Sequence, residues 1–187
     1  LDPEDRSEQV LSFLKKRVGL LDGVAITGGE PLLHKALPDF LRRVRDMGYS
    51  IKLDTNGSFP DRLEEILAMG LVDRVAMDIK NSPAMYAKTV GLESFDLKPL
   101  ERSIELLMGS GIDYEFRTTV VKGLHTEESL LEAAEWIKGA KEYYLQQYKD
   151  SGNVLQPSGL SSFTDGEMKA LRDAVAAVLP TVSLRGV

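Results

Sequence analysis

Short runs of Val, Ile and Leu alternate with amphipathic stretches along nearly the whole chain, and this rhythm limits the fold more than any other feature. Helical spacing of apolar residues covers 3–17, with Val10, Leu11 and Leu14 on one face, and 35–47, with Leu37, Phe40, Leu41 and Val44 turned inward. Further helices are predicted at 60–70, 98–109, 126–138 and 164–178. Gly48 and Gly70 close two helices, and Thr126 with Glu127 and Glu128 opens another. Strands are predicted at 23–27, 51–55, 72–80, 114–121, 142–149 and 182–186, with a longer connection at 81–97. A loop containing Gly152, Pro157 and Gly159 precedes the last helix. Helix and strand therefore alternate six times, which implies an α/β fold with parallel strands joined by right-handed crossovers. Strands this rich in Val, Ile and Leu suit a sheet covered on both faces. No internal repeat or boundary interrupts the pattern, so 1–187 reads as one domain.

In sheets of this kind the loops at the C-terminal strand ends build the site. Polar residues collect there. The ends carry Thr27-Gly28-Gly29-Glu30, Asp54-Thr55-Asn56-Gly57, Asp78-Ile79-Lys80, Arg117-Thr118-Thr119 and Gln146-Gln147-Tyr148. The opposite ends, Asp22-Gly23 and Asp73-Arg74, read as plain turns.

Each group has a bland reading beside a sharper one. Gly28-Gly29-Glu30-Pro31 is either an ordinary strand-to-helix turn or a place where bare backbone approaches a ligand and Glu30 faces an ammonium. Asp54 and Asp78 end apolar strands, where an unpaired carboxylate is costly. They are helix caps or salt-bridge partners, or, with the Thr55 hydroxyl, oxygen ligands for a hard cation. Lys80 would then meet a ligand carboxylate as a point charge. Arg117 offers a fork for a carboxylate or phosphate, or pairs with a neighbouring strand-end aspartate. The two histidines, His34 and His125, read as surface or capping residues. The chain has no GxSxG elbow, GxxxxGK loop, HExxH or GxGxxG.

A net charge of −6 argues against a chain whose main task is to neutralise nucleic-acid phosphates. With no cysteine, the chain can form neither a disulfide nor a thiolate metal site. No secretory signal is visible, and no apolar run reaches the roughly 18 residues of a membrane span. A cytoplasmic protein that binds neither nucleic acid nor membrane is the expectation.

GGEP after the first strand, DTNG after the second and MDIK after the third resemble the radical S-adenosylmethionine (SAM) superfamily. The set LDTNG, VAMDIK and LQQY, with VKGLH after the strand at 114–121, is most similar to the activating enzymes of pyruvate formate-lyase and, above all, of anaerobic ribonucleoside-triphosphate reductase. The resemblance spans essentially the whole chain. It implies a partial parallel (β/α) barrel of the radical SAM type, in which Gly28, Gly29 and Glu30 bind the methionyl amino group of SAM. It further implies that Asp54, Thr55 and Asp78, with the Met77 carbonyl, surround a monovalent cation, and that Lys80 faces the SAM carboxylate. Asn56 and Arg117 belong to the same SAM site, while Val120 and Val121 lie on the strand expected to pass the adenine and Gln147 on the strand beyond it. The partners implied are a protein substrate, namely a glycyl radical enzyme such as anaerobic ribonucleotide reductase, and an electron donor.

One departure stands out. The family's CxxxCxxC loop, which holds a 4Fe-4S cluster through three thiolates, has no counterpart here. The chain opens at Leu1, with Asp2 and Pro3 forming a helix start. The expectation is a fragment beginning just after the cluster loop, without the first strand, inactive by itself and prone to associate at the strand left unpaired. Two readings compete with the activating enzyme: a small-molecule radical SAM enzyme such as 7-carboxy-7-deazaguanine synthase, and a cluster-free SAM-binding module. A third, an unrelated barrel with an accidental GGEP, also remains.

Overall fold

The structure, a computed structural model, describes residues 6–149 and 159–187. Asp2, Pro3, Gly152 and Pro157 lie outside the described residues. Six strands form one sheet in the order β1-β2-β3-β4-β5-β6, every neighbouring pair parallel. They are β1 (Gly23–Ile26), β2 (Ser50–Thr55), β3 (Arg74–Asp78), β4 (Asp113–Val120), β5 (Tyr143–Gln147) and β6 (Val182–Arg185). Between and before them run α1 (Ser7–Lys15), α2 (Leu37–Asp46), α3 (Pro60–Ala68), α4 (Tyr86–Thr89), α5 (Lys98–Gly109), α6 (Glu127–Trp136) and α7 (Asp165–Ala176). Sequential strand order with a helix in each crossover is the architecture of a partial parallel α/β barrel.

Local chemistry explains the element starts. Thr126 accepts from the Ser129 amide at 3.2 Å while Ser129 Oγ accepts from the Thr126 amide at 3.1 Å, a reciprocal cap on α6. Thr164 and Glu167 form the same arrangement on α7. Pro38, Pro60 and Pro99 sit in the first turns of α2, α3 and α5, where a missing N–H costs nothing. The connection at 81–97 holds the short α4, whose Tyr86 packs between Phe95 and Trp136, with ring centroids 5.0 and 6.0 Å away.

Alternation along the strands divides the sheet into two unlike faces. Ile51, Leu53, Val75, Met77, Tyr114, Phe116, Val120, Tyr143, Leu145 and Val182 join the helices' buried residues in one continuous core. Each such side chain is worth roughly 1.5–3 kcal/mol when fully buried. The opposite, inner face carries Lys52, Asp54, Arg74, Asp78, Glu115, Arg117 and Arg185, tied by ion pairs. The richness in Val, Ile and Leu that suited a sheet covered on both faces therefore serves one face only. Val, Ile and Leu dominate each strand's composition, but the charged residues fall on alternate positions and share one side.

Asp73-Arg74 is also more than a turn. Asp73 accepts from the Ile51 amide at 2.7 Å and from Arg45, and Arg74 reaches inward to Glu115 at 2.8 Å. Among the described residues, β1 is the least covered strand, paired on one side only, and exposed Val10, Phe13, Val18, Leu20 and Leu21 lie in or just after α1. No helix among the described residues is long and apolar enough to cross a membrane.

Candidate functional site

Four of the five polar strand ends converge; Gln146-Gln147-Tyr148 does not join them. A cavity of about 170 Å³ is lined by Thr27, Gly29, Asp54, Thr55, Asn56, Asp78, Lys80 and Arg117. This is smaller than the roughly 300–1,000 Å³ of an ordinary ligand pocket, and it suits the polar head of a ligand rather than a whole one. A larger open groove of about 650 Å³ lies between α3 and α5, but it shares no lining residue with the strand-end cavity and its Arg102 is already paired with Asp61 and Glu64.

One end of the site is built around Glu30, which is only 7% exposed. Its Oε1 accepts from the Leu32 amide at 3.1 Å and from the Thr55 hydroxyl at 2.9 Å, and its Oε2 accepts from the Asn56 amide at 2.6 Å. The carboxylate thus ties the β1 loop to the β2 loop and caps the 3-10 turn Pro31–Leu33. All three of these donors are neutral. Among the described residues, no cation forms an ion pair with Glu30. Gly28 and Gly29 have φ of +96° and +55°, a region that side chains strain to reach, so glycine is required there although a Cβ would meet nothing within 4 Å. At Gly57 (φ +78°) a Cβ would also fall 2.1 Å from Met77 Cε.

The other end is a knot of charge. Arg117, 13% exposed, donates from Nη1 to Asp54 Oδ2 at 3.0 Å, and from Nη2 and Nε to Asp78 Oδ1 at 2.9 and 3.1 Å. Lys80 Nζ donates to Asp78 Oδ2 at 2.8 Å, and Lys52 Nζ lies 3.3 Å from Asp54 Oδ1. Burial works against the Arg117 charge, but the fields of Asp78 and Asp54 outweigh it and raise the guanidinium pKa. Of the two readings of Arg117, pairing with the strand-end aspartates is the one found.

A monovalent cation among Asp54, Thr55 and Asp78 finds little support in this arrangement, where only the buried Asp54 Oδ1 lacks a hydrogen-bond partner. Arg117 bridges the two carboxylates, and the Thr55 hydroxyl is engaged with Glu30 and with the Gly57 amide at 3.1 Å. No group of three or more potential metal-ligating His, Cys, Asp or Glu side chains occurs among the described residues. Val121 is buried, and Gln147 donates to the Phe163 carbonyl and the Asp165 carboxylate, both at 3.0 Å; neither residue lines the cavity. Asn56 lines it and also holds the Ser58 amide at 2.9 Å.

His125 departs from its surface reading, whereas His34 is exposed as expected. His125 is buried: Nδ1 accepts from the Val121 amide at 3.1 Å, and Nε2, carrying the proton in this tautomer, donates to the Lys80 carbonyl at 2.8 Å. It joins the β3 and β4 loops and so fixes the backbone from which Lys80 projects. Nothing in VKGLH signalled this, because the partner carbonyl lies 45 residues away. Burial pushes the imidazole below its ordinary value of 6.5. The unfolded chain therefore takes up a proton that the folded chain refuses. The contribution is whole above the ordinary value and lost as pH falls from there through the depressed folded value. Urea midpoints at about pH 8 and about pH 5 should differ less in His125→Gln than in the parent protein. An identical slope in both would remove His125 from this role.

The model of the radical SAM superfamily matches residues 1–137. A Methanocaldococcus jannaschii protein that carries the provisional name of glycyl-radical enzyme activating enzyme is 32% identical over 132 residues, covering 68% of this chain and 55% of that protein. The 7-carboxy-7-deazaguanine synthase of Thermococcus kodakarensis is 28% identical over 136 residues, covering 72% of this chain and 50% of that protein. The chain thus spans about half the length of these curated relatives. In fold it is similar to a domain of a pyruvate-formate lyase-activating enzyme from Bacteroides vulgatus, with a TM-score of 0.71 at 18% identity over 89% of this chain and all of that one.

Proposed function

The chain belongs to the radical SAM superfamily, and from that premise we propose that it binds the amino-acid end of SAM in a cytoplasmic enzyme that activates a glycyl radical enzyme. The observation that carries this reading is the two-pole cavity. Behind the wall that Gly29, Thr55 and Asn56 form at one pole lies a buried carboxylate, Glu30, which does not itself line the cavity and is met only by neutral donors. At the other, Lys80 and Arg117 stand over the strand ends. An α-amino group and an α-carboxylate on one carbon suit such a pair of poles, and the cavity of about 170 Å³ has room for that fragment.

The chain's own residues bind and orient. Glu30 holds the two loops and supplies negative potential to the amino end, without giving a free oxygen pair to it. Lys80, 44% exposed and attached at the His125-braced loop, meets the carboxylate. Bound SAM would supply hydrogen-abstraction chemistry. In the balanced reaction, SAM and one electron from an external donor yield methionine and 5′-deoxyadenosine, while a glycine of the partner enzyme loses one hydrogen atom. The family's 4Fe-4S cluster has no thiolate ligand in this chain, which contains no cysteine. The partner we favour is anaerobic ribonucleotide reductase or a related enzyme; similarity to a glycyl-radical activating enzyme supports this choice.

The test uses the natural protein that contains this chain, loaded anaerobically with iron and sulfide and then reduced. SAM should be converted to 5′-deoxyadenosine, and a glycyl radical should appear in the partner by electron paramagnetic resonance. Lys80→Ala should weaken SAM binding about tenfold, near 1.4 kcal/mol. SAM cleavage without any glycyl radical would move the assignment to the second reading, a small-molecule enzyme, which the similarity to 7-carboxy-7-deazaguanine synthase supports. No SAM binding at all would end both.

A further inference from the structure

Three of the four carboxylate oxygens of Asp54 and Asp78 already accept a hydrogen bond from a side-chain cation. Asp54 Oδ2 and Asp78 Oδ1 take Arg117 and Asp78 Oδ2 takes Lys80, while the fourth oxygen, Asp54 Oδ1, is shut off from solvent, accepts no hydrogen bond and has Lys52 Nζ 3.3 Å away. Two strand-end carboxylates flanking a hydroxyl would otherwise make an oxygen site for a hard cation. Here the third oxygen of such a site, Thr55 Oγ1, donates to Glu30 and accepts from the Gly57 amide.

We propose that Arg117 is a built-in counter-cation: its guanidinium occupies the place of a monovalent metal ion between Asp54 and Asp78, so the site takes the anionic group of its ligand without one. The physical logic is that of a tethered charge. A free ion must be dehydrated and drawn from solution each time the site forms, whereas Arg117 is carried on β4, in register with Asp78 on β3, and arrives with the fold. Its planar fork spans two carboxylates at once, which a spherical ion would do only with several oxygen ligands around it. The arrangement also orients Asp78 so that Lys80, on its other oxygen, stays at the cavity rim where a ligand anion arrives. Arg117 is thus a positioning residue and not a catalytic one. That the anion is the carboxylate of SAM rests on the proposed function; the independence from metal ions rests on the geometry of this chain alone.

The experiment measures cation binding directly on the ligand-free chain. Thallium(I) serves as a potassium probe in a titration followed by thallium nuclear magnetic resonance. Thermal unfolding is compared in potassium, sodium and tetramethylammonium chloride at matched ionic strength. The parent chain is expected to show no saturable thallium binding and the same midpoint in all three salts. Arg117→Met keeps much of the stem's bulk and removes the charge. This variant should gain saturable thallium binding, and potassium or sodium should raise its midpoint above that in tetramethylammonium. Saturable thallium binding by the parent, or a potassium-specific rise in its midpoint, overturns the proposal, and this arm stands even if Arg117→Met fails to fold. A folded Arg117→Met that ignores all three cations overturns it as well. Neither result touches the SAM assignment, which falls only if the natural protein does not bind SAM.

Discussion

Glu30→Ala should lower the free energy of unfolding by about 3 kcal/mol, read as a fall in the urea midpoint at unchanged slope. The substitution leaves three donors without an acceptor: the Thr55 hydroxyl and the Leu32 amide, both of buried residues, and the Asn56 amide at the cavity wall. Each such group costs about 1–3 kcal/mol when stranded away from water. The two loops that the carboxylate joins are those of GGEP and DTNG, so the damage falls on the site as well as on stability. Glu30→Gln separates the two effects. Its amide oxygen still accepts from Thr55 and Leu32, its NH2 opposes the Asn56 amide, and the negative charge is gone. This variant should keep most of the stability and lose affinity for SAM about tenfold or more. An unchanged midpoint in Glu30→Ala would mean that the loops are held by something else.

The second large effect is expected at Glu115→Ala, about 3–5 kcal/mol. Glu115 is 2% exposed and neutralises three cations on the inner face: Arg74 at 2.8 Å, Arg185 at 2.8 Å and Lys52 at 3.4 Å. Removing it leaves three partly exposed cations close together, with only Glu142 on Arg74 and Asp54 beside Lys52 to offset them. Burial alone would raise the Glu115 carboxyl, but hydrogen bonds from Arg185 and Arg74 and the charge of Lys52 hold it down at about 2. A carboxyl whose folded value is depressed contributes stability that is whole above its ordinary value of 4.5 and is lost as pH falls from there toward about 2. Acid unfolding should accordingly steepen below pH 4.5 in the parent and flatten in Glu115→Ala. A variant as stable as the parent, or with the same acid slope, would show that Arg74 and Arg185 find other partners.

Much of the architecture is legible in the residues. Lys98–Gly109 begins and ends where the apolar spacing places it, and the six strands lie within one or two residues of their predicted ends. These elements are set by local period and by breakers such as Pro60 and Pro99, which act within a few residues. The convergence of Thr27, Asp54, Asp78 and Arg117 on one cavity was likewise readable, because parallel strands put every C-terminal end on the same side. What the residues left open was which of two plausible partners each polar group takes. Arg117 as ligand fork or as bridge between aspartates, and Asp78 as metal ligand or as ion-pair partner, are equivalent in sequence.

By itself, the sequence determined the α/β order, the parallel pairing, the polar rim at the strand ends and the absence of thiolate ligands. Those properties follow from periodicity, from crossover handedness and from composition. Only the tertiary structure decided that the sheet has one charged face, that Glu30 is spent on two loops, that His125 is buried against the Lys80 carbonyl, and that Arg117 lies between Asp54 and Asp78. Each of these depends on contacts between residues 25 to 70 positions apart, at distances of about 3 Å. Register between strands sets such contacts, and no local pattern encodes it.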